Sequence, residues 1–326
     1  MKYTALSLLV ALAAASPLNS LSNRNLEARQ RASEACTIGY CTQNGGTTGG
    51  AGGDTVTVTD VNSLVAAAEK EGPLTIIVSG AISGSAKVRV AGDKTIYGEP
   101  GSSLTGIGLY IRRTSNVIVR NMKISKVPAS NGDAIGIDAS ANIWVDHCDL
   151  SGDLSAGKDD YDGLVDISHG SEWVTVSHTY FHDHWKASLI GHSDGNAAED
   201  QGKLHVTYAG NYFRNTYSRA PLVRFGTVDI VNTFWDSLIA SGVNTRMGAQ
   251  VLIQSSAFRN SCQSAVFFAD SEETGYAVLD DVDLGGSLNT APAGTLTASA
   301  LPYPAIRLLG SAAVAGTIPG TAGQKL

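Results

Sequence analysis

Charge is scarce in this chain of 326 residues, because Asp, Glu, Lys and Arg make up only 16% of it. A typical soluble protein has about 25%. A chain with so few charges and with 36 glycines is unlike a coiled coil, a helical repeat array or a disordered tail. The hydrophobic content of 43% is ordinary for a globular protein with a core. The length allows one large all-β domain or two smaller domains.

A surplus of basic residues is also missing. The net charge is −7, and the part from Cys36 onward has 19 basic and 28 acidic residues, a net charge of −9. Binding of nucleic acid through a broad basic surface is therefore not expected. The chain has no Asn-x-Ser/Thr sequence either, so N-glycosylation is not expected.

Long apolar runs are missing as well. The run from Ala5 to Ala15 follows Lys2 and is too short for a membrane span, which needs about 20 residues. A basic start, a short apolar run and an Ala-rich end are typical of a secretory signal peptide. We predict a signal peptide at 1–15, a pro-segment or disordered N-terminus at 16–35, and a secreted protein with no membrane partner.

Cysteines are few, and they are Cys36, Cys41, Cys148 and Cys262. An even number in an exported protein indicates disulfides, for which three pairings can be drawn. A zinc site is not expected, because only the first two cysteines are close together and no histidine accompanies them. Cys148 lies in an apolar, strand-like run, where a buried free thiol is the alternative.

One strand-like pattern of alternating β-formers recurs six times. It ends each time in a large apolar residue, namely Ile124, Leu150, Phe181, Phe213, Trp235 and Phe258. The spacings of 22 to 32 residues are typical of a solenoid, and the β-formers favour strands over helical repeats. The consensus of leucine-rich repeats is absent. We predict an all-β fold, a single-domain right-handed parallel β-helix over 36–326, with loops inserted in the three longer coils.

The ends of a solenoid must be covered. A helix is predicted at 61–71, with Asp60 as its N-cap and Gly72 as its stop, and it would serve as the N-terminal cap. The glycine-rich run 45–53 is interpreted as a flexible turn. The tail after Gly285 is expected to pack along the outside.

Charged residues begin a second strand-like stretch in four successive coils. Asp133, Asp162, Lys186 and Arg219 align there without gaps, and stacked strands about 4.8 Å apart would make them a ladder. Asp166 would share a face with Asp162. Carboxylates without His or Cys favour a hard cation, Ca²⁺ over zinc. Basic residues beside them suit an extended polymer that carries carboxylates.

Histidines and tryptophans of the strand-like segments have a simpler interpretation. No nucleophile pattern accompanies the histidines, so His147, His178 and His182 are interpreted as structural. The tryptophans are interpreted as packing residues, apart from Trp185, which beside Lys186 is a candidate for lining a sugar cleft.

Four stretches closely resemble the family 1 polysaccharide lyases, specifically the pectate lyases. They are 142–150, 162–167, 174–177 and 219–226. The similarity covers about 55–270, and the length and leader resemble the secreted fungal members. The resemblance implies calcium-dependent β-elimination in de-esterified (1→4)-α-D-galacturonan, giving 4,5-unsaturated oligogalacturonides as plant cell-wall pectin is degraded.

The resemblance also implies a role for each site residue. Calcium would be bound by Asp133, Asp162 and Asp166. Lys186 would bind the substrate carboxylate, Arg219 would abstract the proton, and Arg224 would orient or neutralise the sugar acid. Arginine is normally protonated, with a pKa above about 12, so an arginine base predicts an alkaline optimum.

One departure from the family pattern and several alternative functions are left open by the sequence. Asn131 stands where several relatives have Asp, so the number of calcium ions is not fixed. The alternatives are a calcium-independent pectin lyase, which generally lacks the acidic cluster, and a non-catalytic polysaccharide-binding β-helix. Polygalacturonases share the architecture, but their characteristic Asp and His constellation is absent. A capped solenoid is expected to be a monomer.

Overall fold

The fold is given by a computed structural model that describes residues 30–326. The predicted signal peptide and most of the predicted 16–35 segment lie outside these residues. Numbered β1 to β24 in chain order, the strands are Asp54–Val58, Leu74–Val78, Ala81–Val90, Lys94–Gly98, Ser103–Arg112, Ser115–Arg120, Lys123–Ser125, Ile135–Asp138, Ala141–Asp146, Asp149–Ser151, Val165–Ser168, Glu172–Ser177, Tyr180–Lys186, Ser188–Ile190, His205–Ala209, Tyr212–Ser218, Leu222–Arg224, Thr227–Val231, Phe234–Asp236, Val243–Arg246, Gln250–Arg259, Ser264–Phe267, Tyr276–Asp283 and Leu288–Asn289.

Helices are short by comparison. Residues 30–32 are helical at the start of the described part, and the α-helices that follow are α1 (Val61–Glu69), α2 (Ala197–Asp200) and α3 (Ser311–Thr321). Single 3₁₀ turns lie at Gly39–Thr42, Ala129–Asn131, Asp194–Asn196 and Ala298–Ala300. None of these helices is long and apolar enough to cross a membrane.

The strands form three parallel stacks that run the length of the molecule. Stack A contains β1, β2, β4, β6, β9, β12, β15, β18, β21 and β23. Stack B contains β3, β5, β7, β10, β13, β16, β19 and β21. Stack C contains β3, β5, β8, β11, β14, β17, β20, β22 and β24. The predicted all-β parallel β-helix is confirmed.

The six apolar residues that defined the repeat form one continuous ladder inside stack B. Ile124, Leu150, Phe181, Phe213, Trp235 and Phe258 each pair in register with the next. All six are fully buried. Three ring pairs stack within the ladder: Phe181 on Phe213 at 4.4 Å, Phe213 on Trp235 at 6.2 Å and Trp235 on Phe258 at 4.2 Å between centroids. Since each such side chain contributes about 1.5–3 kcal/mol on burial, the ladder is a main source of stability.

The N-terminal end of the solenoid is covered as predicted. Helix α1 begins after Asp60, whose side chain accepts a hydrogen bond from the Ser63 N–H at 3.0 Å, and it ends two residues before the predicted position 71. Leu64 and Ala68 are its buried residues. Part of the glycine-rich run is closely packed, because a Cβ at Gly50 would collide with the carbonyl of the first β2 residue, whereas Gly45 and Gly52 have open space around them.

The C-terminal tail packs along the outside, as expected. Val314 and Ile318 of α3 are buried against Tyr212 and Phe234 of stack B. Near the other terminus, Cys36 and Cys41 form a disulfide, which is one of the two bridges that one of the three pairings requires. Cys148 is a buried free thiol and Cys262 is a partly exposed one.

The inserted loops lie where the longer spacings predicted them. They connect β7 to β8, β10 to β11, and β14 to β15, the last of which contains α2. Two of these loops lead directly into stack C, so the chain carries its irregular, polar segments to that side. This arrangement positions the candidate site.

Candidate active site

Five of the predicted site residues meet beside stack C, namely Asp133, Asp162, Asp166, Lys186 and Arg219. The sixth, Arg224, ends strand β17 of that stack. The charges of the three carboxylates act on one another, and the charge of Arg219 acts on Asp166. Lys186 contacts Asp162 directly. The solenoid therefore brings together residues that lie far apart in the sequence.

The register at Asp162 differs from the ungapped alignment. Val165 pairs with Ile135, which places Gly163 beside Asp133 where the alignment had placed Asp162. The Gly163 N–H donates a hydrogen bond to Asp133 Oδ1 at 2.9 Å. The alignment was therefore wrong by one residue, because the turn that precedes each strand sets its start and the pattern of apolar residues does not report turn conformation.

Arg219 forms a bulge between stacks B and C. Lys186 pairs with Ser218, whereas Leu189 pairs with Leu222, so the Arg219 coil has one extra residue at this point. Arg219 takes a left-handed φ of +59°. The predicted alignment of this stretch is therefore confirmed for Leu189 with Leu222, whereas Arg219 itself is displaced by one residue from Lys186. A bulge redirects a side chain, and it supplies the bend that the spacing of the two site arginines required.

The three carboxylates repel one another. Burial raises the pKa of Asp133 to about 6, and the charge of Asp162 adds to the rise. Burial also raises the pKa of Asp166 well above its ordinary value, the charge of Asp133 adds to this, and Arg219 opposes it. These carboxyl groups resist ionisation because they are buried near one another. A cation bound between them would reduce the repulsion between their negative charges.

Two glycines leave space around these oxygens. A Cβ at Gly163 would collide with the carboxylate of Asp166, and a Cβ at Gly136 would lie 3.0 Å from Asp133 Oδ2. Neither glycine has a left-handed backbone, so space alone requires glycine there. The close approach of backbone and carboxylates thus depends on both residues.

The carboxylates are more widely spread than another group of acids and histidines. Among residues 30–326, the group whose metal-ligating atoms all lie within 4.8 Å of one another is Asp146, His147 and His178. His147 and His178 were interpreted as structural from the sequence, so this cluster was not predicted. Its signal was the recurrence of histidine at one position of successive coils.

Lys186 connects the acidic cluster to the loop between β10 and β11. Its Nζ lies 3.3 Å from Asp162 Oδ1 and 3.3 Å from Asp159 Oδ1. Its side chain is 18% exposed, while that of Asp159 is 70% exposed. An ammonium held only by exposed or partly exposed carboxylates is available to exchange one of them for another anion.

The guanidinium of Arg224 is held in place by two hydrogen bonds. Its Nε donates to Asp194 Oδ1 and its Nη1 donates to the Gly191 carbonyl at 3.0 Å. Arg246 lies in register on the next coil and was not predicted as a site residue. Burial and the charge of Arg224 lower the pKa of Arg246. Its signal was the matching position of two arginines one coil apart.

Several known proteins that are similar to this chain are pectate lyases. A family model for pectate lyase matches residues 5–323. Pectate lyase plyB of Emericella nidulans is 72% identical over the whole of both chains. Pectate lyase B of Colletotrichum gloeosporioides is 54% identical over 95% of this chain and 93% of its own.

A solved structure shows the same fold. The pectate lyase of Bacillus sp. N165, solved in complex with trigalacturonate, superposes with a TM-score of 0.81 at 27% identity, covering 88% of this chain and 98% of that one. The β-helix, the matched family model and the high identity over full length lead to one conclusion. The chain belongs to the pectate lyase family, and it is a lyase.

Proposed function

We propose that this chain cleaves de-esterified (1→4)-α-D-galacturonan by calcium-dependent β-elimination and releases 4,5-unsaturated oligogalacturonides. The observation that carries the proposal is the meeting of three mutually repelling carboxylates with Lys186 and Arg219 beside stack C. The trigalacturonate bound by the Bacillus relative supports the class of substrate. Stacked coils also offer an extended surface that suits an extended polymer.

Asp133, Asp162 and Asp166 fit a calcium ion by their chemistry. They supply carboxylate oxygens, which hard cations prefer, and the glycines beside them leave these oxygens uncrowded. The raised pKa values of Asp133 and Asp166 also fit, because a cation would favour their ionised forms. When bound, calcium would supply positive charge for the carboxylate of the substrate.

Arg219 is the base in this proposal. In its unprotonated form it would accept the C5 proton of a galacturonate residue, the electrons of that C–H bond would form the C4–C5 double bond, and the C4–O bond would break. The leaving oxygen would take a proton from water. Because the C5 proton lies α to a carboxylate, negative charge grows on that carboxylate in the transition state, and nearby cations stabilise it.

Lys186 and Arg224 would bind and orient the substrate. Lys186 would exchange its exposed partner Asp159 for a substrate carboxylate. Arg224, held by Asp194 and the Gly191 carbonyl, would present a fixed cation to the sugar acid. A guanidinium held in one orientation loses little freedom on binding, which favours recognition.

The proposal also covers the processing and secretion of the chain. Residues 1–15 would be removed as a signal peptide, and 36–326 would act as one secreted, monomeric domain. The Cys36–Cys41 disulfide supports export, since such bonds persist in oxidising compartments.

Ultraviolet absorbance of the unsaturated product tests the function. Polygalacturonate is supplied at alkaline pH, first with calcium and then with a chelator. We expect product with calcium and none with chelator. Product that persists in chelator, formed mainly from methylated pectin, would instead indicate a pectin lyase, and no product from a folded sample would indicate a polysaccharide-binding protein.

A further inference from the structure

Stack C carries basic residues on both sides of the acidic cluster. Arg224 and Arg246 lie on coils that follow the cluster, in register with each other. On the coils that precede it, strands β3 and β5 direct Lys87, Arg89 and Arg112 outward, because the residues that alternate with them are buried. We call these three residues the N-terminal basic group. In a chain whose net charge is −7, cations are thus concentrated along one surface.

The register gives the separation between this group and the base. The outward positions of six successive coils pair in register, and in order they are Arg89, Tyr110, Gly136, Asp166, Leu189 and Leu222. Arg112 follows in the second of these coils, and Arg219 precedes the strand of the sixth. With steps of about 4.8 Å, the coils of Arg112 and Arg89 lie roughly 19 and 24 Å from that of Arg219.

Tyr110 joins the group to the acidic cluster. Lys87 Nζ lies 3.9 Å from the centroid of the Tyr110 ring, and Arg112 Cζ lies 6.0 Å from it, so both cations are held near the aromatic face. A Cβ at Gly136 would lie 3.4 Å from Tyr110 Cδ2 and 3.0 Å from Asp133 Oδ2. The surface of stack C is therefore continuous from the basic group to the acidic cluster.

The cations of the group can still bind an anion. Lys87 and Arg89 are exposed, and within residues 30–326 neither forms a salt bridge. Arg112 Nε lies 3.5 Å from Asp138 Oδ1, which is longer than an ordinary hydrogen bond, and the Arg112 side chain is 39% exposed. Asp138 also accepts a hydrogen bond from the Tyr110 hydroxyl at 3.1 Å. Three cations and one carboxylate leave a net charge of +2.

We propose that the N-terminal basic group is a distal subsite for the polymer, in which Arg89 and Arg112 bind carboxylates of galacturonate units four to five coils away from the bond that is cleaved. This inference rests on the proposed function. A polyanion laid along stack C meets cations at both ends of its path. Each exposed contact contributes little, but the contacts add along one chain, so the group favours long polymers over short oligomers.

Steady-state kinetics with polygalacturonate and with trigalacturonate, in saturating calcium, test the subsite in Arg89→Gln/Arg112→Gln. We expect KM for polygalacturonate to rise about 3- to 10-fold with little change in kcat, because two exposed charge contacts are lost. KM for trigalacturonate should change by less than about 2-fold, since three units bound at Arg219 do not extend over five coils. The rise for the polymer should shrink at high ionic strength.

Two exposed lysines outside stack C supply the matched control. Lys70 follows α1, and Lys123 begins β7 of stack B. Lys70→Gln/Lys123→Gln removes the same total charge, so it measures how much the overall charge of the chain affects the encounter with a polyanion. This variant should match the wild type with both substrates.

Two kinetic results would overturn the proposal. One is a KM for polygalacturonate that rises no more in Arg89→Gln/Arg112→Gln than in the lysine control. The other is an equal rise with trigalacturonate, which would mean that the change acts on the cleavage site itself. Circular dichroism checks folding, and Arg89→Gln alone replaces the double variant if that variant does not fold.

A binding assay separates this inference from the proposed function. Affinity electrophoresis in gels that contain polygalacturonate compares the same chains without turnover, and Arg89→Gln/Arg112→Gln should be retarded less than the wild type and the lysine control. A wild type that gives no unsaturated product contradicts the proposed function, whereas equal retardation of all three chains contradicts the subsite.

Discussion

Asp133 and Asp146 belong to the same coil of the solenoid, yet their surroundings push their ionisation in opposite directions. The pKa of Asp133 is raised to about 6 by burial and by the charge of Asp162. Asp146 is also buried, but hydrogen bonds from two histidines and the charge of Arg120 hold its pKa well below the ordinary value. Burial is common to both, so the neighbours decide the outcome.

The comparison separates two uses of a buried acid. Around Asp146 every charge has a partner, which stabilises the fold and fixes the orientation of the two rings. Around Asp133 the nearest charges are alike, which costs stability and leaves the site in need of a cation. Buried carboxyl groups with perturbed pKa values and no compensating charge are typical of functional sites, even though they lower the stability of the fold.

The largest effect is expected at the cation that faces the acidic cluster. Arg219→Ala should lower turnover on polygalacturonate by about 10²–10⁴-fold, the usual contribution of a positioned base, while binding of the polymer persists. The rate of unsaturated product formation and a binding assay measure the two quantities. Arg214→Ala, which removes an exposed arginine of stack B, should leave turnover unchanged. Equal loss in both variants would argue against Arg219 as the base.

Asp146→Asn should remove the buried ion pair between Asp146 and Arg120. This change leaves the guanidinium of Arg120, whose side chain is 7% exposed, without its buried partner, and it should cost about 3–5 kcal/mol in the free energy of unfolding. Denaturant unfolding measures the loss. Asp236→Asn, at the more exposed pair with Arg214, should cost less than about 1 kcal/mol. Similar losses in the two variants would remove the distinction drawn here.

Asp229 is a third buried acid, and it shows how burial changes the pKa of a carboxyl group that has a single neutral hydrogen-bond partner. Burial raises the pKa of Asp229 to about 6, although its Oδ2 accepts a hydrogen bond from the Tyr303 hydroxyl at 2.8 Å. The folded chain therefore keeps this proton between about pH 4 and pH 6 while the unfolded chain loses it. Stability should fall by up to about 3 kcal/mol as pH rises through this window and level off above it.

Asp229→Asn removes that dependence. The variant should be more stable than the wild type at pH 7 and similar to it at pH 4. Urea unfolding at the two pH values measures the difference. A variant that is equally destabilised at both would show that the hydrogen bond from Tyr303 matters more than the buried charge.

The smallest effect is expected when a like charge is removed from the acidic cluster. Asp166→Asn should stabilise the chain by about 1 kcal/mol without calcium, because repulsion from Asp133 is relieved. It should also reduce the rise in melting temperature that calcium produces in the wild type. Melting curves with calcium and with chelator measure both. An undiminished calcium effect would exclude Asp166 as a ligand.

The architecture could be predicted because a solenoid repeats its signal. Each coil buries one apolar residue at the same place, and the six residues from Ile124 to Phe258 proved to be paired in register. The helix after Asp60 was predicted from its cap, within two residues of its end. These features depend on local chemistry that a single sequence displays.

The details of the site could not be predicted in the same way. The bulge at Arg219 and the position of Gly163 beside Asp133 depend on turns whose conformation no apolar pattern reports. Arg246 and the stacked pair of His147 and His178 depend on which coils lie in register. The types of residue in the site were visible in the sequence, but their contacts needed three dimensions.

A crystal structure of the chain with calcium and trigalacturonate tests the central claim most directly. The account predicts a calcium ion bound by Asp133, Asp162 and Asp166, with a galacturonate carboxylate beside it and Arg219 facing C5. Calcium bound elsewhere, with the sugar lying away from stack C, would contradict it.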